Sequence, residues 1–391
     1  MGPAAGAPSI LCRVGARPSR SRFYSPGGPL CVPTFRLSRY TFRMSQLDQY
    51  DYTLPKERIA QQPLSCRSDA RLMVIDRKSD SIEHRYVRDL PQLLAAGDAV
   101  VVNDTRVVAA RLVGKRAATG GRWEGLFLES DASGLWKVLG RTRGKIKAGE
   151  SVQLVDREGR TDTTLTLIAQ EEDGSWIAHP ESEGEPHEIL AQVGRTPLPP
   201  YIRGGEMLPE DEARYQTVYA EHPGSVAAPT AGLHFTDALF AQLAEAKIHR
   251  YQLTLHVGTG TFKPIASDSL SEHPMHSEWA HLAADTAAAL TRVRTSGGRV
   301  VAVGTTSMRV LETAARTGSL AAFEGTTDLF IHPPFTFHAV DALLTNFHLP
   351  RSTLLVLVRT FGGDALIRRA YAMAVEEEYR FYSYGDAMLI L

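Results

Sequence analysis

Cysteine is scarce in this chain: three residues in 391, none of them in a CxxC pair. That excludes a disulfide framework and fits a reducing compartment. Long apolar runs are missing too. Nothing approaches the roughly 18 consecutive apolar residues of a membrane helix, and Leu354–Val358 is a representative stretch. A membrane-spanning protein is therefore not expected. Charge of one sign is also lacking, since 43 Lys and Arg face 44 Asp and Glu. With 43% hydrophobic residues, a wholly disordered chain is excluded. The length suggests two domains or three. Two nucleotide signatures are absent as well. Val303-Gly-Thr-Thr-Ser307 is not followed by the Gly-Lys-Ser/Thr of a phosphate loop, and Gly258-Thr-Gly260 lacks the third glycine of a dinucleotide fingerprint.

The balanced charge conceals an asymmetry. Residues 1–43 contain seven Arg (13, 17, 20, 22, 36, 39 and 43) and no Lys, Asp or Glu. Removing those seven leaves 36 basic against 44 acidic residues in 44–391, a net of −8. The leader is rich in Gly, Pro, Ser and Arg and has no hydrophobic periodicity. It reads either as a transit peptide or as an over-long gene start, with Met44 the true first residue. On both readings it is excluded from the fold.

From Met44 the pattern changes. Asp51–Ala60 reads as a turn into a short helix with Pro55 near its start. Arg71–Asp76, Ala99–Asn103 and Val107–Val113 read as strands. Residues 112–186 carry short strand-like pieces (Trp123–Leu128, Leu135–Leu139, Ser151–Val155, Thr163–Ile168, Ser175–Ala178) separated by glycine-rich turns, which suggests a small antiparallel β-barrel. From 187 onward helices alternate with strands: helices near Thr236–Ala246, Ala283–Arg294, Thr306–Arg316 and Asp364–Glu377, strands at Tyr251–His256, Arg299–Gly304 and Ser352–Val358. The expected fold is α/β, a main domain of 44–111 and 187–391 with an inserted antiparallel β-barrel at 112–186.

Ten of the 13 histidines lie at or after position 222. Most fall in four loop-like segments around His234, His256, His276 and His348, each beside Gly, Pro, Thr or Asn. Strand ends of an α/β sheet are where such segments meet a ligand. Any one of these histidines taken alone is more often a hydrogen-bonded structural residue; four clusters favour a shared site for at least two. His273-Pro-Met-His276 is a poor metal pair, because Pro274 breaks the helix that would align the imidazoles. Gly304-Thr-Thr-Ser-Met-Arg309 runs from a strand into a helix. Thr305 or Thr306 is placed to cap it, and its free amides favour an anion, with Arg309 nearby.

Basic residues crowd one stretch. Arg106, Arg111, Lys115, Arg116, Arg122, Lys137, Arg141, Arg143, Lys145 and Lys147 are opposed only by Glu124, Glu129 and Asp131, a local net of +7. That is the footprint of a polyanion, and nucleic acid is the preferred partner. A merely solvated surface mixes signs more evenly.

Several segments in order resemble one family. They are Val102-Asn-Asp-Thr-Arg-Val107, Pro197-Leu-Pro-Pro-Tyr201, Tyr215–Tyr219, Pro223–Phe235, Leu255–Phe262, Met275–Glu278, Val303–Ser307, Thr345–Pro350, Glu377–Phe381 and Ser383–Met388. The chain from about 48 to 391 resembles the S-adenosylmethionine:tRNA ribosyltransferase-isomerases of queuosine biosynthesis. The resemblance implies a bacterial, cytoplasmic transferase, a monomer or weak oligomer. Its partner is tRNA carrying 7-aminomethyl-7-deazaguanine at the wobble position. The ribosyl part of S-adenosylmethionine is transferred and isomerised onto that base, giving epoxyqueuosine-tRNA, adenine and methionine. S-adenosylmethionine is consumed as substrate, so no cofactor and no metal are expected. A bacterial family also favours a start at Met44. Two departures stand out: Arg122-Trp-Glu124-Gly has unusual neighbours around Glu124, and His281 has no counterpart.

Side-chain chemistry then suggests roles. Proton transfers at C5′ and at departing adenine suit groups that titrate near neutrality. His234, His256, His276 and His348 form the candidate pool, with Glu278 assisting. Thr305, Thr306 and Arg309 would hold the methionine carboxylate, and Asn346 a base edge or ribose hydroxyl. Tyr384 and Asp386 would close the site. Arg106, Lys137, Arg141, Arg143, Lys145 and Lys147 would contact the tRNA backbone. Three competing readings remain: a methyltransferase leaving S-adenosylhomocysteine, a zinc hydrolase using His273 and His276, and a non-catalytic tRNA-binding module.

Overall fold

The computed structural model describes residues 46–258, 270, 273 and 275–391. The leader and the latter half of the Leu255–Phe262 segment lie outside the described residues. After short 3-10 turns, β1 (Arg71–Asp76) and β2 (Ser81–Tyr86) form a hairpin, followed by α1 (Leu90–Leu93), β3 (Ala99–Asn103) and β4 (Thr105–Val107). Six strands follow: β5 (Arg111–Arg116), β6 (Arg122–Ser130), β7 (Trp136–Thr142), β8 (Glu150–Leu154), β9 (Thr163–Gln170) and β10 (Trp176–Pro180). The chain continues through α2 (Pro186–Val193), α3 (Asp211–Arg214), β11 (His222–Ser225), α4 (Asp237–Glu245), β12 (His249–Leu255) and β13 (Glu278–Leu282). Then come α5 (Ala284–Thr295), β14 (Val300–Val303), α6 (Thr305–Ala314), β15 (Phe323–Thr327) and β16 (Ala342–Asn346). Helices α7 (Thr353–Gly362) and α8 (Asp364–Glu376) and strand β17 (Ala387–Ile390) complete the fold.

Nine strands make one mixed sheet in the order β15-β13-β12-β3-β14-β16-β17-β1-β2. Its centre, β12-β3-β14-β16, is parallel throughout. Strands β3, β14 and β16 are buried on both faces, so they read as unbroken runs such as Val100-Val-Val102 rather than as alternation. One face packs Val101, Leu253, Ala302 and Leu343 against α5 to α8; the other packs Val100, Val102, Val301 and Leu344 against α1 and α4. Each fully buried Val or Leu contributes about 1.5–3 kcal/mol.

Strands β5 to β10 close into an antiparallel barrel in the order β10-β7-β6-β5-β8-β9. Trp123, Phe127, Trp136, Val138, Leu165, Leu167 and Trp176 point inward at alternate positions, and α2 adds Ile189, Leu190 and Val193. The unusual Trp123 has a structural cause. Gly125 and Gly140 face each other across β6 and β7, and a Cβ on Gly125 would lie 2.0 Å from the Trp123 ring. The indole occupies the room that two glycines leave.

The structure departs from the sequence reading at particular places. Val107–Val113 is not one strand. Ser225 and Arg195 bind the amides of Val108 and Arg111, turning the chain between β4 and β5. Ser352–Val358 is the start of helix α7, whose cap is Ser352 Oγ accepting from the Leu355 amide at 3.2 Å. Strands β2, β11, β13, β15, β16 and β17 are additional.

At the amino edge of the sheet, Asp98 fastens three strands. Its carboxylate accepts from the Ala95 amide (2.9 Å), the Arg299 amide (2.8 Å) and the Arg299 guanidinium (2.6 Å), while its carbonyl accepts from the His249 amide. Burial pushes this carboxyl up, but the Arg299 side chain and the two amides outweigh burial and hold it below the usual range. Asp98→Ala should cost roughly 1–3 kcal/mol by stranding buried donors. Urea unfolding checks this; an unchanged midpoint would remove Asp98 from the account.

Candidate active site

Parallel pairing brings the carboxyl ends of β12, β3, β14 and β16 to one edge of the sheet. There His256-Val257, Asp104-Thr105, Gly304-Thr305-Thr306 and Phe347-His348 leave the strands together. A cavity of about 1040 Å³, open mouth included, lies against this edge. Its walls are Pro200 and Tyr201, Ala227–Ala231, Val257, Gly304–Thr306, Thr345–Ser352, Leu354, Tyr382 and Ser383. Strand carboxyl ends are the usual place for a small ligand in a sheet of this kind.

Helix α6 aims its first turn at the cavity. Its N-cap is Gly304 (φ 90°), with no side-chain cap, so neither Thr305 nor Thr306 caps it. Ser307 Oγ donates to the Val303 carbonyl at 2.8 Å instead. The first-turn amides therefore have no intrahelical acceptor, and Thr306 Oγ1 is buried without a partner. Amides, hydroxyl and helix dipole together favour an anion.

The histidines do not converge. His348 lines the cavity, fully enclosed, with Nε2 2.9 Å from Thr345 Oγ1, its amide donating to Tyr371 Oη and its carbonyl accepting from Tyr52 Oη at 2.5 Å. Burial pushes its imidazole down to about 3. His234 sits behind the wall, in a smaller cavity with Leu64, Arg67, Arg214 and Tyr384. Burial pushes it down to about 4, against a hydrogen bond to the Arg67 backbone, and Arg380 and Arg67 add to the depression. His256 is half-buried beside β4, Nδ1 2.8 Å from Thr105 Oγ1 and its ring stacked on Trp279. Burial lowers it, His222 assists and Asp104 opposes. His276 is exposed.

Asn346 connects the cavities. Its Nδ2 donates to the Tyr382 carbonyl (3.0 Å) and to His234 Nε2 (3.3 Å), and Oδ1 accepts from Thr230 Oγ1 (3.0 Å). The amide expected to read a base edge or ribose is thus spent on holding the wall. Other expected ligand groups are similarly engaged. Arg309 and Glu278 form a buried ion pair, Arg309 donating also to the carbonyls of Thr327 and Leu329, and Glu278 accepting from the Gly258 amide at 2.9 Å. Tyr384 Oη donates to Asp211 Oδ1 at 2.8 Å, and Asp386 accepts from the amides of Arg71 and Arg380. These two residues clamp the fold; neither lines the main cavity.

The cations divide. Lys137 is held by Glu171 (2.7 Å) and Asp173 (3.1 Å), which removes it as a free charge. Arg116 pairs with Glu150, and Arg111 and Arg122 share Glu124. Arg143, Lys145 and Lys147 are exposed on the loop between β7 and β8, with no carboxylate partner among the described residues. Arg106 is exposed on β4. Arg141 lines a second cavity with Arg111, Glu124, Leu126, Leu139 and Pro197–Pro200; Pro200 is common to both cavities. The group whose ligand atoms lie within 4.8 Å of one another is Asp104, Glu221 and His222. Two of the three are exposed, and Asp104 already accepts from Thr254 Oγ1 at 2.7 Å. Tyr201 and Tyr382, both lining the main cavity, escaped the sequence reading: Tyr201 ends the Pro197–Tyr201 segment and Tyr382 falls between Glu377–Phe381 and Ser383–Met388, and a tyrosine in such a turn carries no distinct signal.

A large mixed sheet, a closed six-strand barrel and a cavity at the strand carboxyl ends define an α/β protein built to hold a small ligand beside a basic β module. A model of the family described as queuosine biosynthesis protein matches residues 47–390, and the chain belongs to that family. An S-adenosylmethionine:tRNA ribosyltransferase-isomerase of Symbiobacterium thermophilum is 48% identical over 347 residues, covering 88% of this chain and 100% of that one. The protein of the same name from Anaeromyxobacter dehalogenans is 49% identical over 350 residues, covering 88% and 99%. The crystal structure of an S-adenosylmethionine tRNA ribosyltransferase from Thermotoga maritima superposes with a TM-score of 0.50 at 36% identity, over 88% of this chain and 100% of that one.

The buried histidines generate a prediction. An imidazole held below its unfolded value near 6.5 is neutral in the fold while the unfolded chain takes up a proton. Stability is complete above about pH 6.5 and falls with acidification towards 4 for His234 and 3 for His348. Each should contribute a slope of up to roughly 1.4 kcal/mol per pH unit. Urea midpoints of His348→Gln should fall less steeply between pH 6.5 and 4.5 than those of the native protein; parallel slopes would contradict the burial account.

Proposed function

We propose that this protein is an S-adenosylmethionine:tRNA ribosyltransferase-isomerase. It acts on tRNA carrying 7-aminomethyl-7-deazaguanine at the wobble position and releases adenine and methionine. The observation that carries the reading is the cavity against the α6 N-terminus, in a chain 48% identical to proteins of that name. The methionine carboxylate is placed on the first-turn amides of α6 and the Thr306 hydroxyl. The aminomethyl nitrogen gives up a proton and bonds to the ribosyl carbon skeleton as the C5′–S bond and the glycosidic bond break. Methionine leaves as a thioether, and adenine leaves with a proton. His348 is the imidazole placed for proton transfer. It is neutral as folded, and proton transfer through it requires that bound substrate raise its basicity toward neutrality. His234 holds the wall instead, its Nε2 engaged by Asn346 Nδ2.

The tRNA approaches from the barrel side. Arg143, Lys145 and Lys147 meet phosphates, and the cavity that shares Pro200 leads the modified base to the reacting centre. Arg141 in that cavity and Arg106 on β4 extend the track. S-adenosylmethionine enters as a consumed substrate, with no cofactor or metal assigned. Among the described residues no helix is long and apolar enough to cross a membrane. Cytoplasmic tRNA is the substrate this reading requires.

Purified protein with S-adenosylmethionine and the modified tRNA should release adenine and methionine in equal amounts, dependent on the aminomethyl group. Formation of S-adenosylhomocysteine would make the protein a methyltransferase, and salt-sensitive tRNA binding without turnover would make it a binding module.

A further inference from the structure

Among the described residues that line the main cavity there is no Asp or Glu. The one charged side chain, Arg351, is exposed and lies 3.3 Å from Asp48 and 3.8 Å from Asp51. Two tyrosines line the same cavity. Tyr201, at the end of the proline-rich segment, and Tyr382 have ring centroids 4.2 Å apart and planes inclined at 43°. Tyr382 adopts φ 72°, a conformation that a bulky residue holds only when its surroundings dictate it. The surroundings do so from both sides: its carbonyl accepts from Asn346 Nδ2 at 3.0 Å, and its amide donates to the Phe347 carbonyl at 3.2 Å. The ring is thereby held at the cavity wall, and its Oη is buried with no hydrogen-bond partner. Tyr201 Oη lies 2.7 Å from Ser383 Oγ. Burial pushes both phenols up, so they stay neutral.

We propose that Tyr201 and Tyr382 form a subsite for a sulfonium cation, binding the charged sulfur through their ring faces. This rests on the reading that the cavity accepts S-adenosylmethionine. An aromatic face attracts a cation without carrying a charge of its own. The distinction matters here, because the positive charge disappears as the C5′–S bond breaks and methionine departs as a neutral thioether. A carboxylate partner would hold the sulfonium ground state more strongly than the transition state and would slow that cleavage. A ring face holds the charge more weakly than a carboxylate, so it still prefers the charged substrate to the neutral product at a smaller cost to the cleavage. Thr306 and the α6 amides take the carboxylate of the methionine moiety and the tyrosines its sulfonium.

The test is titration calorimetry of the full chain with three probes. S-adenosylmethionine carries a sulfonium, sinefungin an ammonium at the same position, and S-adenosylhomocysteine a neutral sulfur. Tyr201→Leu and Tyr382→Leu, made separately, should each weaken the two cationic probes by roughly three- to thirty-fold. S-adenosylhomocysteine binding should stay within about two-fold, which also shows that the variants fold. Tyr382→Phe, which keeps the ring, should retain the preference for charge. Equal weakening of all three probes, or a Tyr382→Phe variant as impaired as Tyr382→Leu, would overturn the subsite. Failure of the native protein to bind any probe would overturn the reading of the cavity and this proposal with it.

Discussion

Parallel pairing of β12, β3, β14 and β16 is the constraint from which the site follows. Strands that run the same way must end at the same edge, and helices covering both faces leave that edge as the place where polar loops meet. The opposite edge is fastened by carboxylates, Asp98 on the starts of β3, β12 and β14 and Asp341 on the Val300 amide. With the amino edge fixed, the carboxyl edge can carry Gly304, Thr306, His348 and the Tyr382 turn without each loop having to stabilise itself.

Most polar groups near that edge are committed to structure. Asn346 binds three partners, Asp386 ties two backbone amides, and Glu278 is neutralised by Arg309. Buried polar groups must be satisfied internally, and these are. What remains unspent is small: the α6 amides, Thr306 Oγ1 and Tyr382 Oη, with His348 beside them. A ligand is recognised by groups that the fold has left without partners, so these carry more functional weight than the larger set of polar residues around them.

Legibility in the sequence followed locality. Strands β1 and β3 were readable as compact apolar runs bounded by polar residues, and the barrel because inward positions repeat every second residue and glycines mark the turns. Helix α7 was not, since Leu355–Val358 is buried on every side and shows no helical period to set against its β-branched composition. The charge of the barrel was misjudged in part for a similar reason. Glu171 and Asp173 are far from Lys137 in the chain, yet β10 brings them across to it. Motif membership located His348, Asn346, Thr305 and Thr306 at the cavity. It did not separate them from Arg309, Tyr384 and Asp386, whose partners come from distant segments.

The most direct test of the account is a crystal structure of the full chain with S-adenosylmethionine. The account predicts the methionine carboxylate on the amides of Thr305 and Thr306, and the adenosyl group in the cavity beside His348. Density for the ligand at Asp104, Glu221 and His222, or within the barrel groove with the α6 amides left to solvent, would contradict it.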